Sequence, residues 1–203
     1  MKQRFWFGYR RRARSVCTLV VQCLLLMWST AASAEGETSV LFGVISERNS
    51  ASAAAAAGRF NEAFPNAEVV LRTPQQLSTV PDAVINEYLQ RATAVLVAGV
   101  FSDDAARLAR QIDEVSENKP VVVVSYYPEQ VQKSQTNDGW VASTAAIDAA
   151  MANPLTTTWG RAHAYWQARG PENMSALFAY LVSSTEQRRQ LPVPEPLAPV
   201  RLA

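Results

Sequence analysis

The sequence predicts an α/β fold, in which a doubly wound, mainly parallel sheet of about four strands is followed by a C-terminal helical extension. Short β-branched apolar runs recur from Ser39 onward. Longer segments with helical spacing separate them, which is how βαβ units appear in a sequence. The alternation stops after Tyr127, where polar and then helical stretches take over.

The first run, residues 39–46, is a strand of mostly apolar residues that leads into the polar turn Glu47-Arg48-Asn49. Ser50 is the expected N-cap of an alanine-rich helix, which Pro65 stops near Phe64. Residues 67–72 form the second strand, and Pro81-Asp82 opens a helix that reaches about Arg91. Residues 93–100 give the third strand, its unbroken apolar run indicating burial on both faces. Ser102 or Asp103 is placed to cap the next helix. That helix turns Ala106, Leu108, Ala109, Ile112 and Val115 to one side and Arg107, Arg110, Asp113 and Glu114 to water. Residues 121–126 supply the fourth strand. Parallel strands joined by right-handed crossovers make the arrangement flavodoxin-like.

Beyond the sheet, residues 130–137 are polar, residues 141–151 are helical, and Asn153-Pro154 breaks the pattern. A last helical region starts near Thr157, is interrupted at Gly170-Pro171 and resumes over residues 172–185. The chain therefore divides into a leader (1–34), a sheet domain (35–128), a helical extension packed on the same domain (129–188) and a proline-rich tail (189–203) expected to be extended or disordered.

The leader is a signal peptide in composition. Lys2, Arg4, Arg10, Arg11, Arg12 and Arg14 precede an apolar stretch from Val16 to Trp28, and Ala32-Ser33-Ala34 offers the small side chains that a signal peptidase accepts. Cleavage is expected before Glu35. The apolar core, interrupted by Gln22, falls short of the roughly 20 residues that span a bilayer, so no stable membrane anchor is expected after cleavage. Periplasmic or secreted localisation follows. Removal of the leader takes away Cys17 and Cys23 and six of the nineteen basic residues. Thirteen basic residues then face eighteen acidic ones, and the net charge of +1 becomes −5. Such a domain has no disulfide, no thiolate ligand and no electrostatic case for nucleic acid.

Ligands of open parallel sheets bind outside the carboxyl ends of the strands. There, Ser46, Asn49 and Ser50 precede a helix N-terminus that offers free N–H groups to an anion, though helix capping explains the same residues. Tyr126 and Tyr127, after the fourth strand, offer flat surfaces to a conjugated ligand. Asp103 and Asp104 are adjacent carboxylates that could pair as general acid and base, though the helix dipole already favours them at a helix start. His163, the only histidine, lies among Trp159, Tyr165 and Trp166; it is a candidate metal ligand, axial to a tetrapyrrole, or else a packing residue. A closed zinc site is excluded, since neither a second histidine nor a cysteine accompanies it. No nucleophile elbow, dinucleotide glycine fingerprint or phosphate-loop lysine is present.

Residues 164–181, AYWQARGPENMSALFAYL, resemble a stretch near the N-terminal end of the large subunit of cobaltochelatase (CobN) and its magnesium chelatase relatives. There, an aromatic helix end is followed by glycine, a proline-glutamate-asparagine turn and a leucine-rich helix, and then a proline-rich strand entry that residues 192–199 match. The resemblance implies tetrapyrrole and divalent-metal binding, with ATP-driven chelation through partner subunits. No catalytic residue of the family maps onto this sequence. Joined to the export signal, the resemblance implies a non-catalytic accessory or binding protein in tetrapyrrole (corrinoid) or cobalt handling. Its partner would be a separately encoded chelatase-like body or a membrane transport component. The alternative is a periplasmic small-molecule binding protein of the solute-receptor type.

Overall fold

A computed structural model describes residues 38–100, 103–115 and 119–183. The leader, Ser102 and the proline-rich tail lie outside the described residues. Four strands, β1 (Ser39–Ile45), β2 (Ala67–Arg72), β3 (Ala94–Ala98) and β4 (Val121–Val124), form one parallel sheet in the order β2-β1-β3-β4. Leu41 of β1 stands opposite both Val69 of β2 and Ala94 of β3, which fixes the central register. The predicted doubly wound parallel sheet is therefore present. β3 ends earlier than the apolar run suggests because Gly99, at φ +67°, turns the chain away from the sheet.

Successive side chains of a strand point to opposite faces, so each strand supplies two cores. Leu41, Ile45, Leu96, Val122 and Val124 pack with Phe60 of α1 (Ser50–Ala63) on one face. The other face joins Phe42, Val44, Val95 and Val97 to Leu77 of α2 (Pro74–Ser78), Ile85 and Leu89 of α3 (Asp82–Arg91), and Leu108 and Ile112 of α4 (Asp103–Val115). The C-terminal region adds α5 (Pro128–Val131), α6 (Thr144–Ala152), α7 (Thr158–Ala168) and α8 (Gly170–Ser183). Of these, α7 and α8 join the α1 face through Trp159, Tyr165, Leu177 and Phe178, all essentially inaccessible to water.

Several local expectations are corrected. Ser50 is the first residue of α1 and not its cap, because a 3-10 turn over Glu47–Asn49 feeds straight into the helix. Its hydroxyl donates back to the Glu47 carbonyl at 2.7 Å. Arg107 is not simply a solvent-facing residue. It donates to the carbonyls of Leu77 at 3.0 Å and Val80 at 2.7 Å and to Asp82, tying α4 to the turn between α2 and α3. Ala106 is exposed, whereas Gln111 is buried. The α2 helix was not anticipated, although Thr73-Pro74-Gln75-Gln76 spells its capping box, in which the Gln76 amide donates to Thr73 Oγ1 at 3.3 Å and Gln76 Oε1 accepts from the Thr73 amide at 2.9 Å.

The β4 edge is closed without a fifth strand among the described residues. Val121 exchanges two backbone hydrogen bonds with Gln135, at 2.7 and 2.8 Å. The Val123 amide donates to Ser134 Oγ at 2.9 Å, and Trp159 Nε1 donates to the Val123 carbonyl at 2.9 Å. An unpaired edge would be a template for association, and here side chains occupy it. Trp159 thus contributes both its volume and its N–H. Trp159→Ala is expected to cost about 3–5 kcal/mol in urea unfolding. Trp159→Phe keeps a ring but deprives the buried carbonyl of its best donor, at about 1–3 kcal/mol. A Phe variant as stable as the parent would contradict the edge-closing role.

Candidate functional site

From β1 the chain crosses by α1 to β2 on one side, whereas from β3 it crosses by α4 to β4 on the other. The connections diverge at the carboxyl ends of β1 and β3, where a crevice must open because no crossover covers it. A cleft of about 960 Å³ lies there. Its floor is Ser46 and Gly99, its walls come from the Glu47–Asn49 turn and from Pro74, Gln75 and Ser78, and Tyr126, Trp166, Gln167 and Arg169 complete it.

The floor is fixed by backbone bonds. Ser46 N donates to the Ala98 carbonyl and Gly99 N to the Val124 carbonyl, each at 3.0 Å. A Cβ on Gly99 would sit 3.0 Å from Ser46 Oγ and 3.6 Å from Trp166 Cζ2, so both the positive φ and the available space call for glycine. Asn49 Nδ2 donates to Ser46 Oγ at 3.0 Å. The Ser46 hydroxyl, already an acceptor, keeps its own proton for a further partner.

Among the described residues, three charged side chains line the cleft. Glu47 Oε1 accepts from the Gln75 amide at 2.9 Å. That bond, its own backbone N–H and the Thr73 hydroxyl hold the Glu47 carboxyl below its ordinary range against a smaller opposing effect of burial. Arg48 and Arg169 are exposed, and neither joins an ion pair among the described residues. Arg169 ends α7 at φ 55°, ψ −175°, where essentially only glycine is at ease, at a cost of about 1–3 kcal/mol. Gly170 follows at φ +78°. The elbow is held by the Arg169 amide on the Trp166 carbonyl at 3.3 Å and by buried Asn173, whose Nδ2 donates to the Arg169 carbonyl at 2.9 Å.

Of the residues singled out in the sequence, the structure brings Ser46, Asn49 and Tyr126 into the cleft. Ser50 lies one residue beyond the lining. Tyr127 precedes α5 and is about half exposed outside the lining. His163 is also outside the lining. It stacks on Trp159 with ring centres 5.0 Å apart, and Trp159 stacks on Trp140 at 5.1 Å. Its Nε2 is 3.4 Å from Gln167 Nε2. Among the described residues, no group of three His, Cys, Asp or Glu is placed to hold a metal. The side chains of Asp103 and Asp104 lie outside the description. Pro74, Gln75 and Ser78 come from the strand-end segment 73–78, one of the places where such a sheet takes ligands, whereas Gly99, Trp166, Gln167 and Arg169 were missed as site residues. A glycine directly after a buried strand was the available signal for Gly99, whereas the α7 residues reach the cleft only through tertiary packing.

Burial pushes the His163 pKa below its ordinary 6.5, because the ring loses water when protonated against Trp159. The folded state then binds its proton less readily than the unfolded chain. The associated stability is fully present above about pH 6.5 and is lost as pH falls from there through the depressed folded value. Urea unfolding between pH 7 and 5 should show this decline, and His163→Phe, which keeps the stack, should flatten it. An equal slope in both proteins would refute the assignment.

No family model matches the chain, and no curated protein gives a significant match. The chelatase resemblance therefore stands on its own residues, which span the end of α7, the elbow and α8. Within it, Gly170 stands at the junction of α7 and α8 and Pro171 in the first turn of α8, as helix-end chemistry alone leads one to expect.

Proposed function

We propose that the domain is a non-catalytic binding protein that is exported and holds a small organic ligand in the cleft at the carboxyl ends of β1 and β3. The cleft itself carries this conclusion. It sits where open parallel sheets take ligands, and its volume falls in the range of small-molecule sites. Its polar groups are a hydroxyl fixed on the floor by Asn49 and two exposed arginines that have no carboxylate partner among the described residues. Binding is favoured over acid–base chemistry because Glu47, the carboxylate of the cleft, is directed at the Gln75 amide, and His163 lies outside the lining.

The chelatase resemblance makes tetrapyrroles, corrinoids included, the first ligands to test. Cobalt would arrive inside the macrocycle, since the described residues hold no metal cluster of their own. A separately encoded chelatase-like body or a membrane transport component would receive the ligand. No helix among the described residues is long and apolar enough to cross a membrane.

Thermal unfolding against a metabolite library that includes haem and corrinoid acids tests the proposal. A ligand at a hundred times its Kd stabilises by about 2.7 kcal/mol and raises the melting temperature. At least one compound should do so, and Trp166→Ala should weaken it tenfold or more. A flat response across the library would remove the proposal.

A further inference from the structure

We infer that the ligand of this cleft carries a negative group beside a flat ring, and that Arg169 is the residue selecting for the charge. This rests on the binding proposal above and narrows it to a chemical class.

The charge balance of the lining gives the first argument. Among the described side chains of the lining, Glu47 is turned to the Gln75 amide, and the Arg48 and Arg169 guanidinium groups join no ion pair and are open to a ligand. Elsewhere Arg59, Arg107 and Lys133 each face a carboxylate, Glu172, Asp82 and Asp113 respectively, and Arg72 and Arg161 lie over tyrosine rings, whereas Arg91 and Arg110 on the helix surfaces also join no ion pair among the described residues. Guanidinium groups bind carboxylate and phosphate through paired N–H donors, and the spare Ser46 proton on the floor adds a neutral donor.

The backbone of Arg169 gives the second argument. An arginine occupies a conformation that glycine adopts without strain, directly before a glycine that itself has positive φ. Folding would be served better by glycine at 169. The elbow is nevertheless locked by Asn173 and by the Trp166 carbonyl, so the side chain starts from a fixed point on the cleft. Strain retained where a charged side chain enters a cleft, and held by surrounding bonds, marks a position kept for binding.

The flat part of the ligand follows from the other lining groups. Tyr126 is 73% exposed on the cleft, and the half-buried Trp166, packed in part on the core, brings the edge of its ring beside Gly99 in the lining. Aromatic faces of this kind take conjugated rings by stacking.

Two probe pairs test the class by calorimetry and by quenching of tryptophan fluorescence: 2-naphthoate against 2-naphthamide, and AMP against adenosine. In at least one pair the anion should bind tenfold or more tighter than its neutral counterpart. A preference confined to the first pair identifies a carboxylate ligand, and one confined to the second a phosphate. Arg169→Gly should leave the melting temperature unchanged or raised while removing that preference, and Arg169→Lys should keep part of it. Equal binding of charged and neutral members, an unchanged preference in Arg169→Gly, or a melting temperature lowered by that variant would each overturn the inference. So would no binding of either pair. In that case a cleft ligand from the metabolite library that is uncharged or lacks a ring would leave the binding proposal standing, whereas a flat library would remove both.

Discussion

A parallel sheet must be covered on both faces, and β1 is the strand on which that requirement falls hardest. Every residue from Ser39 to Ile45 is buried. β2 and β3 flank the strand, α1 and α8 cover one face, and the α2 to α4 region covers the other. Beyond the buried Ser39 at its start, polar chemistry has no place along such a strand. It is displaced to the carboxyl end, where Ser46 is the first residue free of the sheet and the chain departs on the opposite side from β3. Fold and site are therefore one consequence of strand order: the pairing that buries β1 and β3 together is also what leaves the crevice above them.

The C-terminal helices complete the domain in two different ways. α8 lies against α1 and supplies Leu177 and Phe178 to the core. α7 spans from the sheet edge to the cleft: Trp159 bonds Val123 on β4, and further along Trp166 and Gln167, with Arg169 just past the helix end, line the cleft together with Gly99 and Ser46. Stability and recognition are thereby joined on one element. The strained elbow between α7 and α8 is the point where they oppose each other, since Arg169 would serve the fold better as glycine.

What could be read from the sequence was what depends on short-range pattern. The valine run 121–124 and the apolar run 93–100 declare buried parallel strands by themselves, though not that β3 stops at Ala98, and Ser46 and Asn49 declare a loop at a strand end. Less legible were features set by distant partners. Trp159 looked like a companion of His163, yet its N–H is spent on a strand edge, a role that requires knowing that β4 has no fifth strand beside it. Arg107 fitted a polar helix face but caps carbonyls of the α2–α3 turn. Arg169 carried no signal, because its conformation is imposed by the junction of two helices and its neighbourhood by a cleft whose other walls lie far earlier in the chain.

The central claim is that ligand recognition occurs at the β1–β3 switch point. Backbone amide chemical shifts, followed by NMR as the best ligand from the metabolite library is titrated, test it most directly. The largest changes should fall on residues 46–49, Gly99, Tyr126 and residues 166–170, and they should saturate together. Changes centred instead on the Trp140–Trp159–His163 stack, or on the apolar groove between α4 and α5 lined by Ile112, Val123 and Lys133, would contradict it.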